Sequence, residues 1–383
     1  MRGVTLIIML FVNDLYMRVA PAWLGNNPEN ADSMGLADWV FPGFLFIAGL
    51  TIPFALSRRF SAGENTHDIS RHIIIRFISL IIIGVLMLNS GRIDAELTGM
   101  NSTIWTLMMY IGIFMIWNDY RDKENRFFTV TGFRLFGMAV LAFLVFKFNS
   151  GEPENNGSLI TGSWGYLGLL GWGYLVSAFA YVLFRDSILK TALLAGFFLT
   201  LIIISGLDVI KLPLISTTFG ALIDGNVPFM VLTGLLAGLI IRKFQINNFP
   251  KVTLSIALSG IAFLAAGFIL RTWFIISKVD GTPSWVFIST GINLLIFVIL
   301  YRIADVKNLT GWAGFMRPAA ENSLTAYLSA DIIYYIILST GIPLLIYKQS
   351  DSQLIVIAGS LIWAFLIVKL TALLKRLGIG LKL

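Results

Sequence analysis

The fold class this sequence predicts is an all-α polytopic membrane bundle, and three observations predict it. Of 383 residues, 57% are hydrophobic and 13% charged, against about 45–50% and about 25% in a soluble domain. Mean hydropathy is +0.83. Apolar runs of about 20 residues, the length a helix needs to cross the hydrocarbon core, recur along the whole chain. Finally, Lys and Arg concentrate on alternate connections between those runs, as a membrane topology requires.

Taken in order, the apolar runs give twelve expected spans, near 3–20, 36–57, 70–90, 102–118, 130–148, 163–184, 188–206, 226–243, 251–271, 284–304, 319–346 and 353–376. The first carries Phe11-Val12-Asn13-Asp14 and the second opens on Gly35-Leu36-Ala37-Asp38. The stretch 207–225, with Lys211-Leu212-Pro213-Leu214, reads as a re-entrant or interfacial segment that leaves the span count unchanged. The eleventh span is expected to kink at Gly341-Ile342-Pro343. No long polar stretch interrupts the runs, so residues 1–383 read as one integral membrane domain. The first run flows on without a small-residue cleavage site and is read as retained.

With the N-terminus placed in the cytoplasm, three quarters of the 28 Lys and Arg side chains fall on cytoplasmic connections or their flanks. That bias supports an even span count with both termini inside. It also accounts for the net charge of +7 as topology, and no nucleic-acid partner is expected. The implied localisation is a bacterial inner membrane, crossed many times, with lipid as the surrounding partner. The chain has no cysteine and only two histidines, His67 and His72. Disulfides, thiolate nucleophiles and cysteine metal sites are excluded, and no metal site is expected. Walker, Rossmann, HExxH and GxSxG patterns are absent.

Ionisable side chains inside apolar runs are expensive and so mark candidate sites. Two readings are open for Asp14: it faces the bundle interior beside Asn13 as a site residue, or it pairs with Arg18 at i+4 near the membrane surface. Asp38, before Trp39 and Pro42-Gly43, reads both as a first-turn helix acid and as a site carboxylate on the same side as Asp14. The loop Pro21–Met34 joins the two acid-bearing spans and brings Asn26 with it. Arg76 is either a snorkelling anchor or a cation for an anionic ligand. Lys278, just before Asp280, is a candidate for an anionic substrate, or one half of an interfacial pair. Asn322 opens the eleventh span, and Asp331 near its middle is the most expensive acid in the chain, one that requires a polar or cationic partner.

Several of these residues carry a family resemblance. Arg2-Gly3, Phe11-Val12-Asn13, Leu36-Ala37-Asp38-Trp39-Val40-Phe41-Pro42-Gly43-Phe44-Leu45-Phe46 with Gly49, then Arg76, Gly84, Asp305-Val306-Lys307 and Asn322-Ser323-Leu324 with Tyr327 resemble the heparan-α-glucosaminide N-acetyltransferase family, closest to its bacterial membrane relatives. The resemblance implies transfer of an acetyl group from cytosolic acetyl-CoA to an amino sugar across the membrane. It implies site roles for Asn13 and Asp38 and a donor-side role for Arg76. The chain departs from the family at the catalytic histidine, which belongs in the loop between the first two spans. Pro21–Met34 contains none, and its nearest polar residues, Asn26 and Asn27, cannot serve as general bases. Direct transfer with Asp14 or Asp38 as base, and Asn13 orienting the acceptor, is therefore the expected chemistry. The donor is acetyl- or acyl-CoA and the acceptor a sugar or glycolipid, and a homo-oligomer is compatible with the sequence. The alternative is a transporter or a catalytically inactive membrane protein that binds a glycan or lipid.

Overall fold

A computed structural model describes the chain except residues 121–126, 153–156, 163, 208–212, 245–248 and 344. The protein is 77% helical, and among the described residues there is no strand, only one isolated bridge between Asn118 and Leu381. The helices used below are α1 Arg2–Asp14, α2 Leu36–Ser61, α3 Thr66–Asn89, α4 Ser102–Trp117, α5 Phe127–Lys147, α6 Gly165–Phe184, α7 Ile188–Gly206, α8 Pro213–Ile223, α9 Asn226–Phe244, α10 Phe249–Leu270, α11 Pro283–Tyr301, α12 Ser323–Thr340 and α13 Gln353–Arg376. Among the described residues ten helices are long and apolar enough to cross a membrane, and the chain is an all-α polytopic membrane protein.

The first and eleventh expected spans are shorter than the sequence suggests, and the fourth is short as expected. The first is helical only to Asp14, because the chain beyond it turns through Tyr16–Ala20. Thirteen residues at 1.5 Å each give about 20 Å, short of a bilayer core of about 30 Å. The fourth is the 16-residue α4. The eleventh is not one kinked helix. A short helix Arg317–Glu321 ends at Asn322, whose φ of −122° and ψ of 49° break the ladder before α12 begins. That helix then stops at Gly341, which caps it in the left-handed conformation at φ 66°, as an achiral residue can without strain. Lys211 and Leu212 of the expected re-entrant stretch lie outside the described residues, as do Arg121, Lys123 and Arg126; α8 follows directly on the former.

The described chain divides into two compact units. Unit 1 comprises Met1–Thr5, Pro21–Ile81 and Tyr166–Trp312; unit 2 comprises Leu6–Ala20, Ile82–Gly165 and Ala313–Leu383. In unit 1, α2 packs along α9 and α10 along α11. Without a hydrophobic drive between helices in lipid, close packing must come from small residues at the contact. A Cβ on Gly49 would lie 1.8 Å from the Val231 carbonyl oxygen, and one on Gly234 would lie 1.9 Å from that of Phe46. The two backbones therefore touch. The core beside this contact holds Leu45, Ile52, Val231, Leu232 and Leu235, all almost wholly buried. In unit 2, α4 packs on α5, where the Trp105 indole donates to the Leu144 carbonyl at 3.1 Å. The C-terminal tail is stitched to the end of α4 by Lys382 N–H to Trp117 O and Asp119 N–H to Gly380 O.

The α2–α9 contact makes a prediction. Gly49→Ala and Gly234→Ala should each lower thermal stability in detergent by about 1–3 kcal/mol, the usual cost of overpacking. Gly196→Ala, with nothing within 4 Å of its Cβ, should be neutral or slightly stabilising. Equal melting temperatures for all three variants would contradict the contact.

Candidate functional site

The carboxylate of Asp38 is placed by the start of α2. Asp38 is the third residue of the helix, where an acid can reach back to the free N–H groups of the first turn. One oxygen, Oδ2, accepts from the Gly35 N–H at 2.9 Å and from the Asn27 N–H at 3.2 Å. Gly35 fits there because a Cβ would collide with the Gly25 carbonyl at 2.1 Å, so the loop folds directly against the helix start. Four residues on, Pro42 has no N–H to give the Asp38 carbonyl. The Trp285 indole of α11 supplies that bond instead, at 3.1 Å. One residue thus joins the 25–35 loop, α2 and α11.

The second oxygen, Oδ1, is buried and accepts no hydrogen bond. It faces the Lys278 ammonium at 3.7 Å. Lys278 is held in turn by Asn26 Oδ1 at 2.6 Å and lies 5.7 Å from the Tyr166 ring centre. The Asp38 side chain is 3% exposed and that of Lys278 16%, so the pair is an inner carboxylate under a cation that reaches solvent. The structure brings Asp38, Asn26 and Lys278 together in unit 1. The loop over them is pinned by Asp32, which accepts from the Ile276 N–H and from Arg271 Nε, each at 2.8 Å. These two donors, the backbone one foremost, hold the Asp32 carboxyl below its ordinary range.

Deeper in unit 1, α11 continues the polar face begun by Trp285. Asn293 donates to Ser289 O at 2.9 Å and to Trp39 O at 3.4 Å. Its Oδ1 is buried, without a hydrogen bond, and packs against Gly43. Arg76 lies on α3 with its guanidinium 4.6 Å over the Tyr174 ring and a buried Nε that has no hydrogen-bond partner. Arg2 is near enough for the two charges to repel. Two cations stand together there, and no carboxylate forms an ion pair with either among the described residues.

Asp14 belongs to unit 2, with different company. Its carboxylate accepts from the Tyr347 hydroxyl at 2.8 and 3.0 Å and pairs with Lys348 at 3.1 Å. Lys348 also donates to the Tyr334 hydroxyl. Tyr347 can approach because Gly359 of α13 offers no Cβ; one would sit 2.2 Å from the phenol ring. Burial, and then the Asp14 charge, push the Tyr347 phenol above its ordinary range, so it remains a donor. The i+4 pairing with Arg18 does not form, because α1 ends at Asp14 itself. Asn13 is exposed. Asn322 caps the break before α12 and donates to Pro318 O at 3.0 Å, a structural role. Asp331 accepts from Tyr110 at 2.8 Å. Sequence reasoning missed Trp285, Tyr347, Lys348 and Tyr110. Only Lys348 carried a local signal, a lone cation beyond a glycine helix stop.

A family model described as a domain of unknown function (DUF5009) matches residues 1–171. That stretch holds Asn13, Asp14, Asn26, Asp38 and Arg76, but not Lys278, Asn322 or Asp331. No curated protein matches the chain.

The Asp32 clip gives a pH prediction. A carboxyl lowered in the folded state stabilises it fully above the unfolded value of about 4, and that contribution is lost as pH falls through the lower folded value. At neutral pH the Ile276 amide should exchange hydrogen a few-fold more slowly in the wild type than in Asp32→Asn. The difference should vanish in strong acid. Equal exchange at neutral pH would contradict the clip.

Proposed function

We propose that this protein is a membrane acyltransferase that moves an acetyl or acyl group from cytosolic acyl-CoA to a sugar-containing acceptor at the periplasmic face of a bacterial inner membrane. The reading takes α1 and α4 as shorter crossings beside the ten long ones, twelve in all, with both termini cytoplasmic. The bias of Lys and Arg across the connections supports that orientation. The resemblance of residues 11–13, 36–46 and Arg76 to the heparan-α-glucosaminide N-acetyltransferase family supports the chemistry.

The observation that carries the proposal is the divided Asp38 carboxylate. One oxygen is fixed by backbone N–H groups, and the other is buried, accepts no hydrogen bond and lies beside Lys278. A fixed carboxylate with a free oxygen is suited to take a proton from an acceptor amine or hydroxyl as it attacks the thioester carbonyl. The CoA thiolate leaves and is then protonated, so no covalent intermediate on the protein is needed. Lys278 and Asn26 orient the acceptor or polarise the carbonyl. Asp14 is a poorer base, since both its oxygens are engaged and Lys348 neutralises it. Arg76, with Arg2, meets the donor phosphates, which suits the unpartnered Nε of Arg76.

A second reading, a transporter, draws on the lone acid Asp331. The two readings predict different losses. With purified protein and radiolabelled acetyl-CoA, Asp38→Asn should cut transfer to an amino-sugar acceptor at least about 100-fold while leaving CoA binding intact. Arg76→Gln should instead weaken donor binding about tenfold, the loss of one charged phosphate contact. Protein that neither binds acetyl-CoA nor slowly hydrolyses it would overturn the acyltransferase.

A further inference from the structure

Two helices of unit 2, α1 and α12, each carry one acid, Asp14 and Asp331, and the surroundings of the two differ in one respect. Asp14 is met by the ammonium of Lys348. Asp331 has no such partner: among the described residues no Lys, Arg or His forms an ion pair with it, and its hydrogen bond comes from the neutral phenol of Tyr110. The groups around it are phenols as well. Tyr327 and Tyr335 stand one turn to either side on α12, and the Tyr335 ring is 6.4 Å from that of Tyr110. Lys348 is engaged by Asp14 and Tyr334, and α13 offers the uncharged Trp363 against Tyr334.

Depth makes the contrast informative. Asp331 is the ninth of the 18 residues of α12, and Tyr110 the ninth of the 16 residues of α4. Each therefore sits about 12 Å from its helix start, close to the middle of a core of about 30 Å. An uncompensated carboxylate at that depth is costly and is relieved by a protein cation, a bound metal cation or a proton. The first is missing. The second needs several converging oxygen ligands, yet no group of three or more His, Cys, Asp or Glu able to hold a metal exists among the described residues. The Tyr110 hydroxyl also points its hydrogen, not a lone pair, at the carboxylate.

We propose that Asp331 takes up and releases a proton at mid-depth in the membrane, with Tyr110 holding the carboxyl in place in both states. The step balances with water alone: carboxylate and hydronium give carboxylic acid and water, and no electron moves. Asp331 is partly exposed, so its carboxyl is not sealed within the helix packing. This is an activity beyond acyl transfer and does not rest on it; unit 2 would couple a protonation to whatever work the protein does.

The test uses the whole wild-type protein in lipid nanodiscs, with two readouts. A hydrophobic carbodiimide, which reacts with protonated carboxyls in apolar surroundings, should label Asp331 at neutral pH. The adduct should disappear in alkaline buffer, and Asp14 should stay unlabelled throughout. Infrared difference spectra between the two buffers should show a protonated-carboxyl C=O band that is absent from Asp331→Asn. Tyr110→Phe should raise the adduct yield severalfold, because the phenol favours the ionised form. The band without the adduct would still support the proposal. Absence of both would overturn it, as would loss of the adduct on adding sodium at constant pH, which would indicate a metal cation.

Discussion

The fold of unit 1 depends on keeping one negative charge, that of Asp38, out of water. A carboxylate that is 3% exposed carries a desolvation cost that only hydrogen bonds and opposite charge can offset. The protein supplies two N–H groups from the 25–35 loop, the positive end of the α2 dipole and the ammonium of Lys278. The loop amides, the α2 terminus and the ammonium belong to different segments, so satisfying the charge also fixes where those segments lie. Pro42 extends the effect: by freeing the Asp38 carbonyl it recruits Trp285, and through Trp285 the whole of α11. A proline inside a helix usually weakens it; here the missing bond is replaced by a tertiary one.

The same constraint is met differently in unit 2. Asp14 is fully compensated, by Tyr347 and Lys348, and reads as a fixed internal ion pair. Asp331 is compensated only by a phenol. The difference separates a structural charge from a mobile one. In unit 1 the division runs within a single carboxylate, one oxygen holding the fold together and the other left for chemistry. Unit 1 thus leaves the second Asp38 oxygen without a hydrogen bond, and unit 2 leaves Asp331 without a cation among the described residues.

Much of this was legible in the sequence. Ten of the expected spans correspond to helices of crossing length because a run of about 20 apolar residues has few other structures open to it in lipid. Asp38 was legible as a first-turn acid, because helix starts have unmet N–H groups that any neighbouring carboxylate can fill. The early end of α1 and the break at Asn322 were not, since the polar residues there, Asn13-Asp14 and Glu321-Asn322-Ser323, are equally compatible with a helix that continues. The pairing of Lys348 and Tyr347 with Asp14 was out of reach for another reason. They meet Asp14 across more than 300 residues, and no local pattern encodes such a contact. The pairing of Asp14 with Arg18 fails on geometry alone, because i+4 contact needs a helix that has already ended.

The account stands on the coupling between Asp38 and Lys278, and a double-mutant cycle measures it most directly. Thermal unfolding of Asp38→Asn, Lys278→Met and the double variant, in the same detergent, isolates their interaction. If the buried carboxylate relies on that ammonium, the double variant should be more stable than the sum of the single losses predicts, by about 1 kcal/mol or more. Strict additivity would mean that the two side chains are merely neighbours, and that the charge at the start of α2 is not what holds this part of the protein together.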